Sequence, residues 1–369
     1  MRSSPTGLLM SYPNRLDRYA NVSTNLALLS NQRLRESVES ASILGTGIGG
    51  TSAIMQLEAT SIFAKIIPLT ELEKRTENVM STRNVFDLPP YCHYGIGSPP
   101  GGVWREVVAQ TMTTNWVLAG QCEGFPMMYH WRVLPNLRMP LSEELSDISR
   151  MVAFWDSDAV GNRIEASEQS VDSVVLFCEY IPHNLHDWMN EQVAMGAKEA
   201  NSAITMVESQ VRSTVSFMNS QGLLHFDAHF ENILTDGSRI YITDFGLVTS
   251  SRFELSDSER AFVELNKTHD ECYVVTHLVN WLVAGLLGLM DRNDRIDFIR
   301  RCASGYDPAE EVGSVAADII NRYAPIATVI NDFYTGLRMD SKTTPFPVEE
   351  IQRVSAEIGF DRYSSDPSI

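Results

Sequence analysis

One 25-residue segment constrains this chain more than any other feature of its sequence. Between Gly222 and Gly246 it reads GLLHFDAHFENILTDGSRIYITDFG. The segment places six residues at fixed separations: His225, Asp227, Asn232 and the triplet Asp244-Phe245-Gly246. At roughly one in 20 per position, this pattern would arise by chance on the order of once in 10⁵ chains of this length. Asp227 can accept a proton from a hydroxyl, and the side-chain oxygens of Asn232 and Asp244 suit Mg²⁺ bound beside phosphates.

This spacing resembles the catalytic loop and metal-binding triplet of the protein-kinase-like superfamily. The resemblance implies an α+β fold with two lobes, a small β-rich N-lobe and a larger helical C-lobe, with ATP and Mg²⁺ bound in the cleft between them. Asp227 would orient and deprotonate an acceptor hydroxyl, while Asn232 and Asp244 would hold the metal. His225 would brace the loop.

Two upstream features occur in the order that this family requires. The glycines of Gly45-x-Gly47-x-x-Gly50 would let backbone amides approach phosphates without obstruction by side chains. Lys65, in the apolar run SIFAKIIPL, would position the α- and β-phosphates. Glycine clusters are more often simple turns, and a lone lysine in an apolar strand often only extends from a sheet edge. Their position ahead of the catalytic segment strengthens both interpretations.

The family also needs a helix carboxylate to hold the strand lysine. Glu106, in GVWREVVAQT, is the candidate, because it lies in the first clear helix after Lys65. The separation of the two residues is longer than is usual in the family, so Glu71, Glu73 and Glu77 remain competitors. The alternative for Glu106 is a solvated acid in the first turn of a helix.

The segment LFCEYIPHNL resembles the connection between the two lobes, which receives the adenine through its backbone. That resemblance implies that Glu179 offers its carbonyl and Ile181 its amide and carbonyl. The alternative is an ordinary buried strand that ends before Pro182.

The resemblance predicts an N-terminal extension at 1–40 that contains a helix, an N-lobe at 41–181 and a C-lobe at 182–369. Insertions in the N-lobe at about 68–102 and 135–170 would carry specificity, since long insertions in compact domains tend to be functional. Local patterns predict strands at 61–69, 127–134 and 173–181, helices at 31–40, 71–82 and 103–118, a helix starting after the possible cap Ser142, and a buried helix near 271–290. Val and Ile residues at spacings of three and four between Ile204 and Met218 predict one buried helical face.

Composition limits the partners. With 47 Asp and Glu against 29 Lys and Arg, the net charge of −18 disfavours general binding to nucleic acid. Five scattered cysteines favour reduced thiols in a cytoplasmic protein. The first residues lack the apolar run of a secretory signal. The uncharged stretch 272–290 just reaches the length of a membrane span, but a buried helix is the preferred interpretation, so we expect no membrane span.

Several departures from the family pattern leave the acceptor open. Phe226 stands where many protein kinases have arginine, so control by a phosphorylated loop is not expected. His229, a further catalytic candidate, replaces the usual lysine, and no Ala-Pro-Glu follows Gly246. Thr249, Ser250 and Ser251 are expected to be exposed loop hydroxyls. The favoured function is transfer of the γ-phosphate of ATP by a divergent, bacterial-type serine/threonine-protein-kinase-like enzyme. A small-molecule kinase of the aminoglycoside or choline type and a nucleotide-binding pseudokinase scaffold are the alternatives.

Overall fold

A computed structural model describes residues 11–360. The first ten residues of the predicted extension at 1–40 and the last nine of the predicted C-lobe at 182–369 lie outside the described residues. The chain divides into two compact units. Among the described residues, the first contains 11–182 together with Thr243–Val248 and Phe253–Ser256. The second contains His183–Ile242, Thr249–Arg252 and 257–360. The predicted α+β class, with a β-rich first part and a helical second part, is confirmed. The exact lobe boundaries, 41–181 and 182–369, stay predictions.

The first unit is built on one antiparallel sheet with the strand order β1-β2-β3-β5-β4. Its strands are β1 Ser42–Gly47, β2 Gly50–Leu57, β3 Thr60–Leu69, β4 Met128–Leu134 and β5 Asp172–Glu179. Its helices are α1 Tyr12–Leu28, α2 Asn31–Glu39, α3 Val103–Leu118, α4 Ile148–Trp155 and α5 Asp158–Glu168. The predicted strands at 61–69, 127–134 and 173–181 and the helices at 31–40 and 103–118 are therefore confirmed to within a few residues.

Both faces of the central strand β3 are covered, because successive side chains point to opposite faces of a sheet. Ile62 and Ile66 belong to a core cluster with Leu26 and Leu34 of α1 and α2. Ile67 belongs to a second cluster with Val107 of α3. Odd-numbered positions of β3 thus share the side of the sheet covered by α3, and Lys65 is one of them.

The second unit is mostly helical. Its helices are α6 Leu185–Met195, α7 Ala197–Ser220, α8 Asp257–Leu265, α9 His269–Leu287, α10 Arg292–Ala303, α11 Ala309–Val312, α12 Ser314–Met339 and α13 Val348–Ile358. Its short strands are β6 His183–Asn184, β7 Leu223–Leu224, β8 Ile233–Thr235, β9 Ile240–Ile242 and β10 Thr249–Ser250. Strands β6, β8 and β9 form one sheet, and β7 pairs with β10. The predicted apolar face of α7, from Ile204 to Met218, is buried, which confirms the helical spacing.

Residues 71–82 form successive turns and not the predicted helix. Two polar side chains bond to the backbone close by and compete with helical hydrogen bonds. The Glu73 carboxylate accepts from the amide of Thr70, and the Asn78 amide donates to the carbonyl of Leu72. Sequence reasoning also missed α1, and the helix expected after Ser142 begins only at Ile148, where the side chain of Asp147 caps it.

Helix α9 is the predicted buried apolar helix, and most of its residues are shielded from solvent. Among residues 11–360, no single helix combines the length and the apolar composition needed to cross a membrane. Helices α9 and α10 meet that criterion only when they are taken together, and they meet at an angle of 108°.

Candidate active site

The glycine cluster forms the hairpin between β1 and β2, with Gly47 paired to Gly50. Gly50 has φ 126°, and a Cβ there would lie 2.4 Å from the carbonyl oxygen of Ile66, so only glycine fits without strain. A Cβ on Gly49 would lie 3.2 Å from the Lys65 Nζ. Gly45 has open space around its Cα. The close approach to the lysine therefore depends on Gly49, which the spacing pattern did not single out.

Lys65 lies between two carboxylates in the first unit. Its Nζ is 2.6 Å from Glu106 Oε1 and 2.9 Å from Asp244 Oδ1. Burial by itself would lower the pKa of Lys65, but the charges of Asp244 and Glu106 and its hydrogen bonds to both raise that pKa. Lys65 is therefore a permanent cation at the pH of a cell.

The structure selects Glu106 among the four carboxylates that the sequence offered for this role. Glu106 is almost fully buried in the first turn of α3. Glu73 instead accepts hydrogen bonds from Thr70 and from the backbone of α3. Glu71 pairs with Lys74. Burial raises the pKa of Glu106, and the ion pair with Lys65 opposes that shift.

Asp244 presents a carboxylate that is both anchored and accessible. Its side chain is 42% exposed although it bonds the buried Lys65. Its backbone has φ 62°, in the left-handed region that a non-glycine residue rarely adopts. The Gly246 amide donates to Asp244 Oδ1 at 3.2 Å. Such strain persists where the surroundings determine the conformation, which is common at functional sites.

The first predicted insertion supplies those surroundings. The Gly101 amide donates to the Gly246 carbonyl at 3.0 Å. The His93 Nδ1–H donates to the Leu247 carbonyl at 2.7 Å. Ile48, at the tip of the glycine hairpin, packs against a cluster to which both insertions contribute, including Cys92 and Leu145. Sequence reasoning assigned these insertions to specificity, which stays a prediction. In the structure they hold the hairpin and the Asp244 segment.

In the second unit, Asn232 bonds directly to Asp227. The Asn232 Nδ2 donates to the backbone carbonyl of Asp227 at 3.0 Å and to its Oδ2 at 3.1 Å. Because its nitrogen is used in this way, the Asn232 amide oxygen is the atom that can bind a cation. The sequence therefore identified two residues that the fold brings into contact.

Asp270, at the start of α9, holds the backbone ahead of Asp227. It accepts from the amides of His225 at 2.6 Å and Phe226 at 2.8 Å. Burial would raise the pKa of Asp270, but the hydrogen bond and charge of His269 and the bond from His225 lower it. Sequence reasoning missed this residue; the only signal was a carboxylate beside a long apolar run.

Phe226 is fully buried and has φ 64°. Its ring stacks 5.4 Å from that of Phe262 and lies 4.7 Å from that of His269. An aromatic contact therefore occupies the place of the arginine that many protein kinases have before the catalytic aspartate.

His229 faces the same carboxylate. Its Nε2 is 3.6 Å from Asp227 Oδ2. Its Nδ1 accepts from the Glu231 amide at 3.2 Å, so the neutral ring carries its proton on Nε2, on the side of Asp227. Tyr273 of α9 also bonds to the Asp227 carboxylate, and burial, followed by the Asp227 charge, raises the pKa of Tyr273. The orientation of Asp227 thus depends on three polar neighbours.

The predicted adenine segment ends strand β5. Glu179 is buried, and its carboxylate pairs with Arg15 of α1. The amide of Glu179 donates to the carbonyl of Met127 at 2.8 Å, which leaves its carbonyl as the group for the predicted role. Ile181 follows the strand, and no hydrogen bond of its backbone occurs within residues 11–360.

The sequence suggested that all three hydroxyls after the Asp-Phe-Gly triplet are exposed, but this expectation was wrong for two of them. Thr249 and Ser250 are fully buried in β10, and the Ser250 hydroxyl donates to the carbonyl of Gly222. Only Ser251 is exposed.

The residues present fit ATP and Mg²⁺. Mg²⁺ usually takes one or two carboxylates together with phosphate oxygens and water, and does not need a complete protein cage. In the first unit, Asp244 offers an accessible carboxylate of this kind. In the second unit, Asn232 offers an amide oxygen, which is also a ligand type that Mg²⁺ accepts. In the part of the chain that the structure describes, no group of three or more His, Cys, Asp or Glu side chains could hold a metal by itself.

Residues 147–265 match the family model described as protein kinase domain. The matched stretch is about a third of the chain and includes Glu179, Asp227, Asn232 and Asp244, whereas Lys65 and Glu106 lie before it. No curated protein matches the chain.

Proposed function

We propose that the chain is a protein-kinase-like enzyme, an ATP- and Mg²⁺-dependent phosphotransferase whose acceptor is a hydroxyl, because residues 147–265 match the protein kinase domain model. The observation that carries the proposal is the ion pair of Lys65 with both Glu106 and Asp244. A buried cation with two carboxylates is costly to desolvate, so its presence next to a glycine hairpin favours a phosphate-binding role over a stabilising one.

Each unit has its own task in this proposal. In the first unit, Lys65 binds phosphate oxygens, and the glycine hairpin offers backbone amides. The Glu179 carbonyl and the Ile181 amide and carbonyl receive the adenine. Asp244 would hold Mg²⁺, which would neutralise charge on the phosphates.

In the second unit, Asp227 is the proton acceptor. The acceptor hydroxyl gives its proton to the Asp227 carboxylate as its oxygen forms a bond to the γ-phosphorus, and ADP leaves. Asn232 and Tyr273 hold the carboxylate for that step. Such catalysis consists mainly of positioning and electrostatic stabilisation.

We further propose that the acceptor is a serine or threonine of a protein. The complete set of Lys65, Asp227, Asn232 and Asp244 argues against a pseudokinase. A small-molecule kinase remains the second candidate, because His229, and no lysine, lies beside Asp227. We also propose a reducing, cytoplasmic setting, in which the cysteines, four of them buried, stay as thiols.

Transfer of labelled γ-phosphate tests these functions. The purified chain is incubated with Mg-ATP, a host lysate and, separately, a panel of hydroxyl compounds that includes aminoglycosides. Label on protein supports the favoured function, and label on a compound supports the second. Asp227→Asn should lower turnover roughly 10²–10⁴-fold. The exposed helical residue Asp318 provides the matched control, Asp318→Asn, which should act like the wild type. ATP binding without transfer would contradict an enzymatic role.

A further inference from the structure

A group of arginines lies about two turns along α9 from the proposed proton acceptor in the second unit. The group comprises Arg292 and Arg295 of α10 and Arg338 of α12. Its basic character stands out because the chain as a whole carries a net charge of −18.

Contacts along α9 connect Asp227 to these arginines. Tyr273 bonds to Asp227, and its ring lies 4.4 Å from that of His277, one turn further on. The next turn presents Asn280, whose Oδ1 accepts from the Arg295 Nε at 3.3 Å. Residues at these spacings share one helical face, so the arginine group begins about two turns along α9 from the proton acceptor.

Contacts of helix α12 also connect Tyr273 to the arginine group. The ring of Tyr334 lies 5.3 Å from that of Tyr273. Thr335 accepts from the Arg292 Nη2 at 3.1 Å. Arg338 follows these residues by four and three positions, on the same side of the helix.

Within residues 11–360, none of the three arginines forms an ion pair with a carboxylate, although the Arg295 Nη1 donates to the carbonyls of Leu289 and Met290. Of the acids close by in sequence, Asp332 pairs with Arg300. Asp291 caps α10, and its charge also acts on Arg295 without forming an ion pair. Burial lowers the pKa of Arg292, and the charges of Arg338 and Arg295 lower it further, as expected where cations are gathered.

Accessibility allows these side chains to bind a ligand. Arg338 is exposed, and Arg292 and Arg295 are half-buried. The Arg292 Nη2 donates to Thr335 and the Arg295 Nε donates to Asn280, which orients these two guanidinium groups before any ligand arrives. Pre-oriented guanidinium groups suit carboxylates and phosphates, which they bind through paired hydrogen bonds.

We propose that Arg292, Arg295 and Arg338 bind the anionic side chains of an acidic acceptor peptide, in which carboxylates or phosphates flank the hydroxyl that is phosphorylated. This inference rests on the proposed function and names its substrate class. A peptide is favoured over a small anion because the cations are spread over two helices and can engage more than one anionic group. The arginines are specificity residues, and Asp227 remains the proton acceptor.

Peptide kinetics test the inference. Three serine peptides are compared, with glutamate, glutamine or lysine on both sides of the serine. The wild type should have a KM about 10-fold lower for the glutamate peptide than for the glutamine peptide, the scale of one charge-assisted hydrogen bond. The double variant Arg292→Gln/Arg338→Gln should lose this difference, while the KM for ATP and the kcat on the glutamine peptide stay unchanged. A phosphoserine peptide and free phosphate are then tested as competitors of the glutamate peptide. Their relative inhibition shows whether the site prefers an anion carried by a peptide or a free anion.

Arg353→Gln is the matched control, because Arg353 is exposed on α13 and already pairs with Glu350 and Glu357. It should keep the preference for the glutamate peptide. Equal KM values for the acidic and neutral peptides, or a preference that survives in the double variant, would overturn the inference. Stronger competition by free phosphate than by the phosphoserine peptide would also overturn it, in favour of a small anionic acceptor.

Binding without turnover separates this inference from the proposed function. The fluorescein-labelled glutamate peptide is titrated with the protein, and its polarisation is followed at low and at high salt. Binding by the wild type that is lost in the double variant supports the arginine site even if no phosphate is transferred. Equal binding of the glutamate and glutamine peptides rejects the site whether or not the chain is a kinase.

Discussion

Arg15 of α1 forms a buried, two-point ion pair with Glu179 at the end of β5, with nitrogen–oxygen distances of 3.0 and 2.6 Å. The same guanidinium donates to the carbonyl of Phe125. A helix from the N-terminal extension thereby holds the strand end to which we assign adenine binding.

Loss of Arg15 should destabilise the fold strongly. Arg15→Met leaves the Glu179 carboxylate buried without its cation, which costs about 3–5 kcal/mol of unfolding free energy. Chemical denaturation measures this value. The surface variant Arg353→Met should change it by less than about 1 kcal/mol. In Arg15→Met/Glu179→Met, stability should recover in part, because no unpaired charge remains; a double variant as unstable as the single one would show that the charge is not the cause.

Lys65→Met should abolish most of the stabilisation that Mg-ATP gives. A ligand present at 100 times its Kd stabilises a protein by about 2.7 kcal/mol, and this appears as a rise in Tm. Because the variant also leaves Glu106 unpaired, each protein is compared with its own Tm in the absence of nucleotide. Lys198→Met, at an exposed position of α7, is the control and should shift as the wild type does. A full shift in Lys65→Met would remove this lysine from nucleotide binding.

Gly50→Ala should destabilise the first unit by about 2–3 kcal/mol, because alanine is strained at a positive φ. The added methyl group would also meet the carbonyl oxygen of Ile66 at 2.4 Å. Gly45→Ala is the matched control, since a Cβ there meets nothing within 4 Å and its effect should stay within about 0.5 kcal/mol. Thermal unfolding of both variants makes the comparison, and equal Tm values would contradict the conformation of the hairpin.

His277 should make stability depend on pH. Burial, together with the charges of His229, Arg338 and Arg295, lowers its pKa from 6.5 to about 3. The unfolded chain therefore binds one more proton than the folded chain between these values. Stability from this group is complete above pH 6.5 and falls by up to about 1.4 kcal/mol per pH unit as the pH drops towards 3.

Replacement of His277 should remove that contribution. In His277→Phe, the unfolding free energy should fall less steeply between pH 6.5 and 4 than in the wild type. The exposed His183 supplies the control, because His183→Phe should leave the slope unchanged. Parallel curves for the wild type and His277→Phe would show that this imidazole is not kept neutral by its surroundings.

Much of the local structure followed from the sequence because it depends on neighbours in the chain. The helix at 103–118 and the strand around Lys65 have clear periodicity, and both occur as predicted. The helix predicted at 71–82 was wrong, since Glu73 and Asn78 bond to backbone groups nearby and thereby compete with the helix.

The sequence alone determined which chemical groups this protein can use: a carboxylate and an amide five residues apart, an aspartate before Phe-Gly, and a lysine in an apolar strand. The identity of these groups depends only on residue type and spacing, which can be read from the amino-acid sequence. Only the tertiary structure decided that Glu106 is the partner of Lys65, that Arg15 holds Glu179 and that three arginines gather beside α9. Such contacts join residues far apart in the chain, and the free energy that selects them comes from packing and burial of the whole unit, which no local pattern records.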